Sequence, residues 1–216
     1  MLIIFDCDGV LVDTEPVSNR CFSAALNREG LAWDVPQTMQ RLMGRSLKSC
    51  IEIVEKELGR TLPPVFVERL QADTFDAFRR EGVAPVPGVA DAIDALEATG
   101  HRTCVASSGD LDKMQITLGG AGLWNRFEGR IFSARQVRRG KPFPDLFLLA
   151  AQQMGTPPAD CVVVEDAPAG TQAGMAAGMR VLCYAGAPWA ERAAMLAAGG
   201  VLFEHMEELP GLIGIA

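Results

Sequence analysis

The sequence predicts an α/β protein: a doubly wound parallel sheet interrupted by an all-helical insertion. Two observations carry this. Short apolar runs of strand character, "LIIF" (2–5), "TCVA" (103–106), "GRIF" (129–132), "CVVV" (161–164) and "RVLCY" (180–184), alternate with segments of helical period. Such alternation implies a parallel sheet covered on both faces. Between the first and second runs, however, residues 15 to 82 carry only helical patterns, in "PVSNRCFSAALNREG", "SLKSCIEIVEKELG" and "PPVFVERLQADTFDAFRREG".

The helices of the alternating part have legible ends. "GVADAIDALEATG" places Val89, Ile93 and Leu96 on one face and stops at Gly100. "DLFLLAAQQMG" and "PAGTQAGMAAG" repeat the scheme, the latter with Pro168 at a first helical position. The long helical stretch ends at the Pro-containing return "VAPVPG" (83–88). The expected organisation is an α/β core of residues 1–14 and 83–216 with a helical domain, 15–82, inserted through two short linkers. A long crossover within one domain is the other reading.

Composition narrows the function classes. The 216 residues carry a net charge of -7, which argues against nucleic acid or an anionic membrane as the main partner. A small anionic substrate stays compatible, because a bound cation inverts the local sign. The apolar N-terminal run is too short to span a membrane, lacks a basic leader and meets acidic residues at once. A cytoplasmic protein is expected. The six cysteines form no C-x-x-C pair and read as reduced thiols. Two histidines far apart, His101 and His205, make an imidazole-built zinc site improbable.

Ligands of parallel sheets bind beyond the carboxyl ends of the strands. After the first strand come Asp6, Asp8 and Gly9; after the second, Ser107, Ser108 and Gly109; the loop past "GRIFSARQVRRG" brings Lys141; after "CVVV" come Glu165 and Asp166. This set suits phosphoryl transfer. Asp6 can act as a nucleophile and form an aspartyl-phosphate. Oxygen ligands from Asp6 and Asp166 suit Mg²⁺, which makes crowded carboxylates tolerable and offsets phosphoryl charge. Lys141 would bind phosphoryl oxygens, and Ser107 with neighbouring backbone N–H groups would complete an anion cradle. Asp8 would serve as acid toward the leaving oxygen and then as base toward water. Each loop has a plainer reading: a turn at Asp-x-Asp-Gly, a helix cap at Ser107–Ser108, a solvated basic loop around Lys141, an acidic helix start at Glu165–Asp166.

Together, "DCDGVLVDTE", "VASSG", "GKPFPDLF" and "VVVEDAPAG" resemble the four motifs of the haloacid dehalogenase superfamily, in order and over nearly the whole chain. The resemblance implies a Rossmann-like core with a helical cap inserted after the first motif. It is nearest the branch of β-phosphoglucomutases and sugar-phosphate phosphatases. It makes Asp6 the nucleophile, Asp8 the acid/base, and Ser107 and Lys141 phosphate ligands. The metal would take the Asp6 carboxylate, the Asp8 backbone carbonyl and Asp166, with Glu165 helping directly or through water. On the cap, Glu15, Arg45 and Lys48 are candidate substrate contacts; a helix start at Asp13–Glu15 and a solvated face at Arg45–Lys48 are the alternatives.

Phosphatase and mutase share the phospho-aspartate. The resemblance places a mutase histidine at Ser18 and a distal-phosphate arginine at Leu47, counted from Gly44. Both departures favour a phosphatase over a β-phosphoglucomutase-type enzyme. The stretches "LMGRSLKSCIEIVEKELG" and "SSGDLDKMQITLGGAGL" resemble bacterial 6-phosphogluconate phosphatases, so a small phosphorylated sugar or sugar acid is the expected substrate. Nothing in the sequence demands more than a monomer.

Overall fold

The computed structural model describes residues 1–42 and 47–214. The chain divides into two compact units, Met1–Asp13 with Val83–Ala216, and Thr14–Gly82. From the N-terminus, β1 (Leu2–Phe5) and the short β2 (Val12–Asp13) precede helices α1 (Glu15–Arg28), α2 (Val35–Leu42), α3 (Leu47–Leu58) and α4 (Phe66–Glu81). The chain then passes through β3 (Ala84–Pro85), α5 (Val89–Ala98), β4 (Arg102–Ser107), α6 (Leu111–Gly120), α7 (Trp124–Phe127) and β5 (Ile131–Ser133). It continues through α8 (Asp145–Gln153), β6 (Cys161–Glu165), α9 (Pro168–Ala176), β7 (Arg180–Tyr184), α10 (Arg192–Ala197), β8 (Val201–Phe203) and α11 (Leu209–Ile213).

Six strands form one sheet in the order β5-β4-β1-β6-β7-β8, with parallel pairings, so their carboxyl ends share an edge. β1 lies inside, with Ile4 opposite Cys104 on one neighbour and Val163 on the other. All four of its residues are fully buried, which is why an inner parallel strand reads as an unbroken apolar run. Leu2, Ile4, Phe147, Val163 and Val181 belong to one core cluster. Each fully buried aliphatic or aromatic side chain contributes about 1.5–3 kcal/mol, and truncating one such as Phe5 to Ala costs about 3–5 kcal/mol.

Departures from the expected elements have local causes. The strand expected at "GRIF" begins later, at Ile131, because Gly129 turns the chain with φ +76°. β8, three residues long, is too short to show a period.

The helical unit has its own core, in which Leu26, Trp33, Leu42, Val54, Phe66 and Leu70 pack together. Exposed ion pairs Arg20–Glu81 and Arg28–Asp73 join α1 to α4; pairs of this kind contribute little. No helix among the described residues is long and apolar enough to cross a membrane.

Candidate active site

The site is built at the carboxyl edge of the sheet. The Asp6 N–H donates to the Val164 carbonyl at 2.9 Å, prolonging the β1–β6 ladder by one residue and fixing where the Asp6 carboxylate emerges. The chain then folds back: the Cys7 carbonyl accepts from the N–H groups of Leu11 (2.9 Å) and Val12 (3.1 Å), and the Gly9 N–H donates to the Val12 carbonyl (2.8 Å). Gly9 is needed twice over. Its φ is +80°, and a Cβ there would overlap the Asp166 carboxylate, so the glycine lets Asp166 lie over the first loop.

Lys141 is the junction of the site. Its ammonium, with three donors, donates to Asp6 Oδ1, to Glu165 Oε1 at 2.6 Å and to the Ala106 carbonyl at 3.1 Å. Its side chain is 6% exposed, so these bonds replace its hydration. Burial alone would lower the ammonium's pKa; Asp6 and Glu165 outweigh it and hold Lys141 above its usual range. The expectation that Glu165 ligates a metal meets a different arrangement. Its second oxygen, Oε2, accepts the Asp166 and Ala167 N–H groups, both at 2.9 Å, so both oxygens are engaged within the protein. Gly170, at the start of α9, makes room for this carboxylate, since a Cβ there would overlap it.

The remaining carboxylates are electrostatically crowded. Burial pushes Asp6 up to about 7 despite the opposing pull of Lys141, and nearby Glu165 and Asp8 push in the same direction. Asp166 is driven well above the usual carboxylate range, by burial first and then by Glu165 and Asp6. Cys7, between the two aspartates, is likewise held protonated by burial.

Asp8 has a partner that the sequence reading missed. Lys113, on the first turns of α6, donates to Asp8 Oδ2 at 2.6 Å. In "GDLDKMQ" it reads as an ordinary solvated helix residue, and only its position after the β4 turn hinted otherwise. Ser107, the buried last residue of β4, accepts the Gly109 N–H on its hydroxyl at 3.1 Å; Ser108 is exposed. Of the basic loop, Arg135 pairs with Asp110 and Arg139 with Asp145 at the surface.

Among the described residues no three Asp, Glu, His or Cys side chains form a ready metal cage. Mg²⁺ does not require one, since it keeps several waters and is held through one or two carboxylates. The donor set fits it. Four carboxylates, Asp6, Asp8, Glu165 and Asp166, face two ammonium groups, Lys113 and Lys141, leaving a deficit of two positive charges when all are ionised. Burial first, and this crowding after it, raises Asp6 and Asp166.

Of the cap candidates, Glu15 begins α1, where its carboxylate accepts from Asn19 Nδ2 at 2.7 Å, and Lys48 is exposed on α3. Arg45, and the Gly44 used to count to Leu47, lie outside the described residues.

The parallel sheet thus carries an acidic, lysine-braced centre at its carboxyl edge. The family model "Haloacid dehalogenase-like hydrolase" matches residues 3–184, and the chain belongs to that family. It is 31% identical over 211 residues to 6-phosphogluconate phosphatase of Escherichia coli (strain K12), covering 97% of this chain and 93% of that protein. It is 33% identical over 180 residues to hexitol phosphatase A of the same organism, covering 83% and 80%. Among solved structures, a HAD family hydrolase from Deinococcus radiodurans with bound phosphate and sodium superposes with a TM-score of 0.83 at 30% identity, covering 98% and 94%.

Proposed function

We propose that the protein is a Mg²⁺-dependent phosphatase that hydrolyses a small phosphorylated sugar or sugar acid through a phospho-Asp6 intermediate. The observation that carries this reading is the Lys141 junction, which ties a buried carboxylate nucleophile to a fixed cation beside the Ser107 turn. In the first step an Asp6 oxygen attacks phosphorus, the ester P–O bond breaks, and the leaving oxygen takes the proton of Asp8, which enters this step as the carboxylic acid and leaves it as the carboxylate. In the second, Asp8 removes a proton from water, which attacks the phosphorus of phospho-Asp6 and releases phosphate with Asp6 restored. Lys141, exchanging one of its three present bonds, and the Ser107 hydroxyl, with the Ser108 N–H, hold phosphoryl oxygens, while the Gly109 N–H stays on Ser107 Oγ.

The Asp6 and Asp166 carboxylates and the Asp8 backbone carbonyl would hold Mg²⁺, which when bound supplies charge compensation for the carboxylates and the phosphoryl oxygens. Glu165 we assign to bracing: it orients Lys141 and the Asp166–Ala167 backbone from behind. Lys113 holds the Asp8 carboxylate.

The names of the relatives support a phosphorylated polyol, sugar or sugar acid, with 6-phosphogluconate the first candidate. Glu15 and Lys48 are the described residues proposed to read the part of the substrate beyond its phosphate. Ser18 in place of the mutase histidine favours water over a sugar hydroxyl as acceptor. The six free cysteines suit a reducing cytoplasm.

The test is phosphate release with Mg²⁺ from 6-phosphogluconate, 2-deoxyglucose 6-phosphate and β-glucose 1-phosphate, alongside a coupled assay for glucose 6-phosphate. Free phosphate from one or a few substrates is expected. Glucose 6-phosphate from β-glucose 1-phosphate with little free phosphate would replace the phosphatase by a mutase.

A further inference from the structure

We propose that Ser133 is a positioning residue that sets the Ser107–Gly109 turn for an incoming phosphoryl group. The inference rests on the phosphoryl-transfer reading above and extends it to a residue that no motif contains. Ser133 ends β5 and lies in register with Ser107 at the end of β4. It is fully buried, and a buried hydroxyl is costly unless its hydrogen bonds are made. They are made: Oγ donates to the Gly109 carbonyl at 2.7 Å and accepts the Arg135 N–H at 3.3 Å. The Ser133 N–H donates to Gln136 Oε1 at 2.7 Å, closing the turn that leads toward Lys141.

The consequence falls on Gly109. Two peptide planes meet at its Cα. Ser133 fixes the carbonyl of one, and Ser107 accepts the N–H of the other at 3.1 Å. No steric constraint does this work. Gly109 is not in the left-handed region, and a Cβ there would meet only ordinary contacts, the nearest being Ser107 Oγ at 3.5 Å. Glycine is the residue with the widest conformational freedom, so hydrogen bonds must hold this turn in one geometry.

A hydroxyl has one proton and two acceptor positions. Because Ser107 Oγ receives the Gly109 N–H, its own proton is directed to another acceptor, which a phosphoryl oxygen supplies. Loss of the Ser133 hydroxyl releases the Gly109 carbonyl, and the turn no longer presents the Ser107 proton and the Ser108 N–H in one fixed array. Donors fixed in advance bind an anion better than donors that must first be ordered.

The test uses inorganic phosphate as the probe, with Mg²⁺ present. Its affinity is measured by calorimetry and by competition against turnover for the full-length wild type, Ser133→Cys, Ser133→Ala and Gln136→Ala. The cysteine keeps the side-chain shape at a slightly larger volume and replaces a strong donor with a weak one; the alanine covers the case in which the cysteine does not fold. Gln136→Ala loosens the same β5 turn without touching Gly109. The expected result is a loss of phosphate affinity of about tenfold in the folded Ser133 variants, with KM rising more than kcat falls, and less than about twofold in Gln136→Ala. Unchanged affinity in the folded Ser133 variants, or an equal loss in Gln136→Ala, would overturn the role. A wild type that neither binds phosphate nor releases it from any substrate would instead defeat the phosphatase reading itself.

Discussion

The Lys113 ammonium lies 2.6 Å from Asp8 Oδ2, while the Lys141 ammonium is bonded to Asp6. Two carboxylates one residue apart are thus each given a separate lysine, from helix α6 and from the loop before α8. Lys141 also serves Glu165, whereas Lys113 is turned to Asp8.

If Lys113 acts through Asp8 on the leaving oxygen, Lys113→Met should depress kcat/KM for an alkyl phosphate about 10- to 100-fold, part of the full worth of a general acid. The same change should affect p-nitrophenyl phosphate much less, because nitrophenolate leaves without a proton. Equal losses on both substrates would show that Lys113 does not work through the acid.

Gly170 is expected to be as sensitive as a site residue although it carries no chemistry. A Cβ at Gly170 overlaps the Glu165 carboxylate, so Gly170→Ala must displace it and loosen its hold on Lys141. A misplacement of about 1 Å is worth up to about 100-fold in rate, so kcat should fall at least tenfold. Steady-state assays showing wild-type kcat in a folded Gly170→Ala protein would contradict the bracing role of Glu165.

Without Mg²⁺, stability should depend on pH in the direction opposite to that of a salt-bridged aspartate. The Asp6 carboxyl is pushed from its ordinary 3.8 up to about 7 in the folded protein, and Asp166 is raised as well. The folded state therefore holds protons that the unfolded chain releases near pH 4. This contribution is fully present below about pH 4 and is lost as pH rises through about 7. Urea midpoints in EDTA should decline from pH 5 to pH 8, and Mg²⁺ should flatten the decline. A midpoint independent of pH in EDTA would contradict the raised, buried Asp6 and Asp166 carboxyls.

Chelation should silence turnover while leaving the fold, and Mg²⁺ should restore it, because the ion supplies the charge compensation that the carboxylates and the phosphoryl oxygens need. Activity that persists in excess EDTA, followed by phosphate release, would exclude the proposed use of Asp6 and Asp166.

Much of this architecture is legible because β1, β4, β6 and β7 are inner strands whose burial forces apolar runs, and the runs of β1, β4 and β6 lead directly into candidate site residues. What escapes the sequence is pairing across the fold. Lys113 reaches Asp8 across 105 positions, and nothing local marks it out from other helix lysines. Glu165 is legible as an acidic residue beside a strand end, but its two oxygens are committed by Lys141 and by the backbone after β6, which only the folded chain reveals. Ser133 is hidden for the same reason, since its partner Gly109 belongs to the neighbouring strand's turn.

The most direct test of the proposed chemistry is to quench the enzyme in acid during turnover with Mg²⁺ and its best substrate. Borohydride then reduces any acyl phosphate, and the N-terminal peptide is sequenced by mass spectrometry. A phospho-Asp6 mechanism predicts conversion of position 6 to homoserine, dependent on substrate and absent from Asp6→Asn, which should also lose at least about a thousandfold in kcat. Rapid turnover with position 6 unmodified, or Asp6→Asn retaining substantial activity, would contradict it.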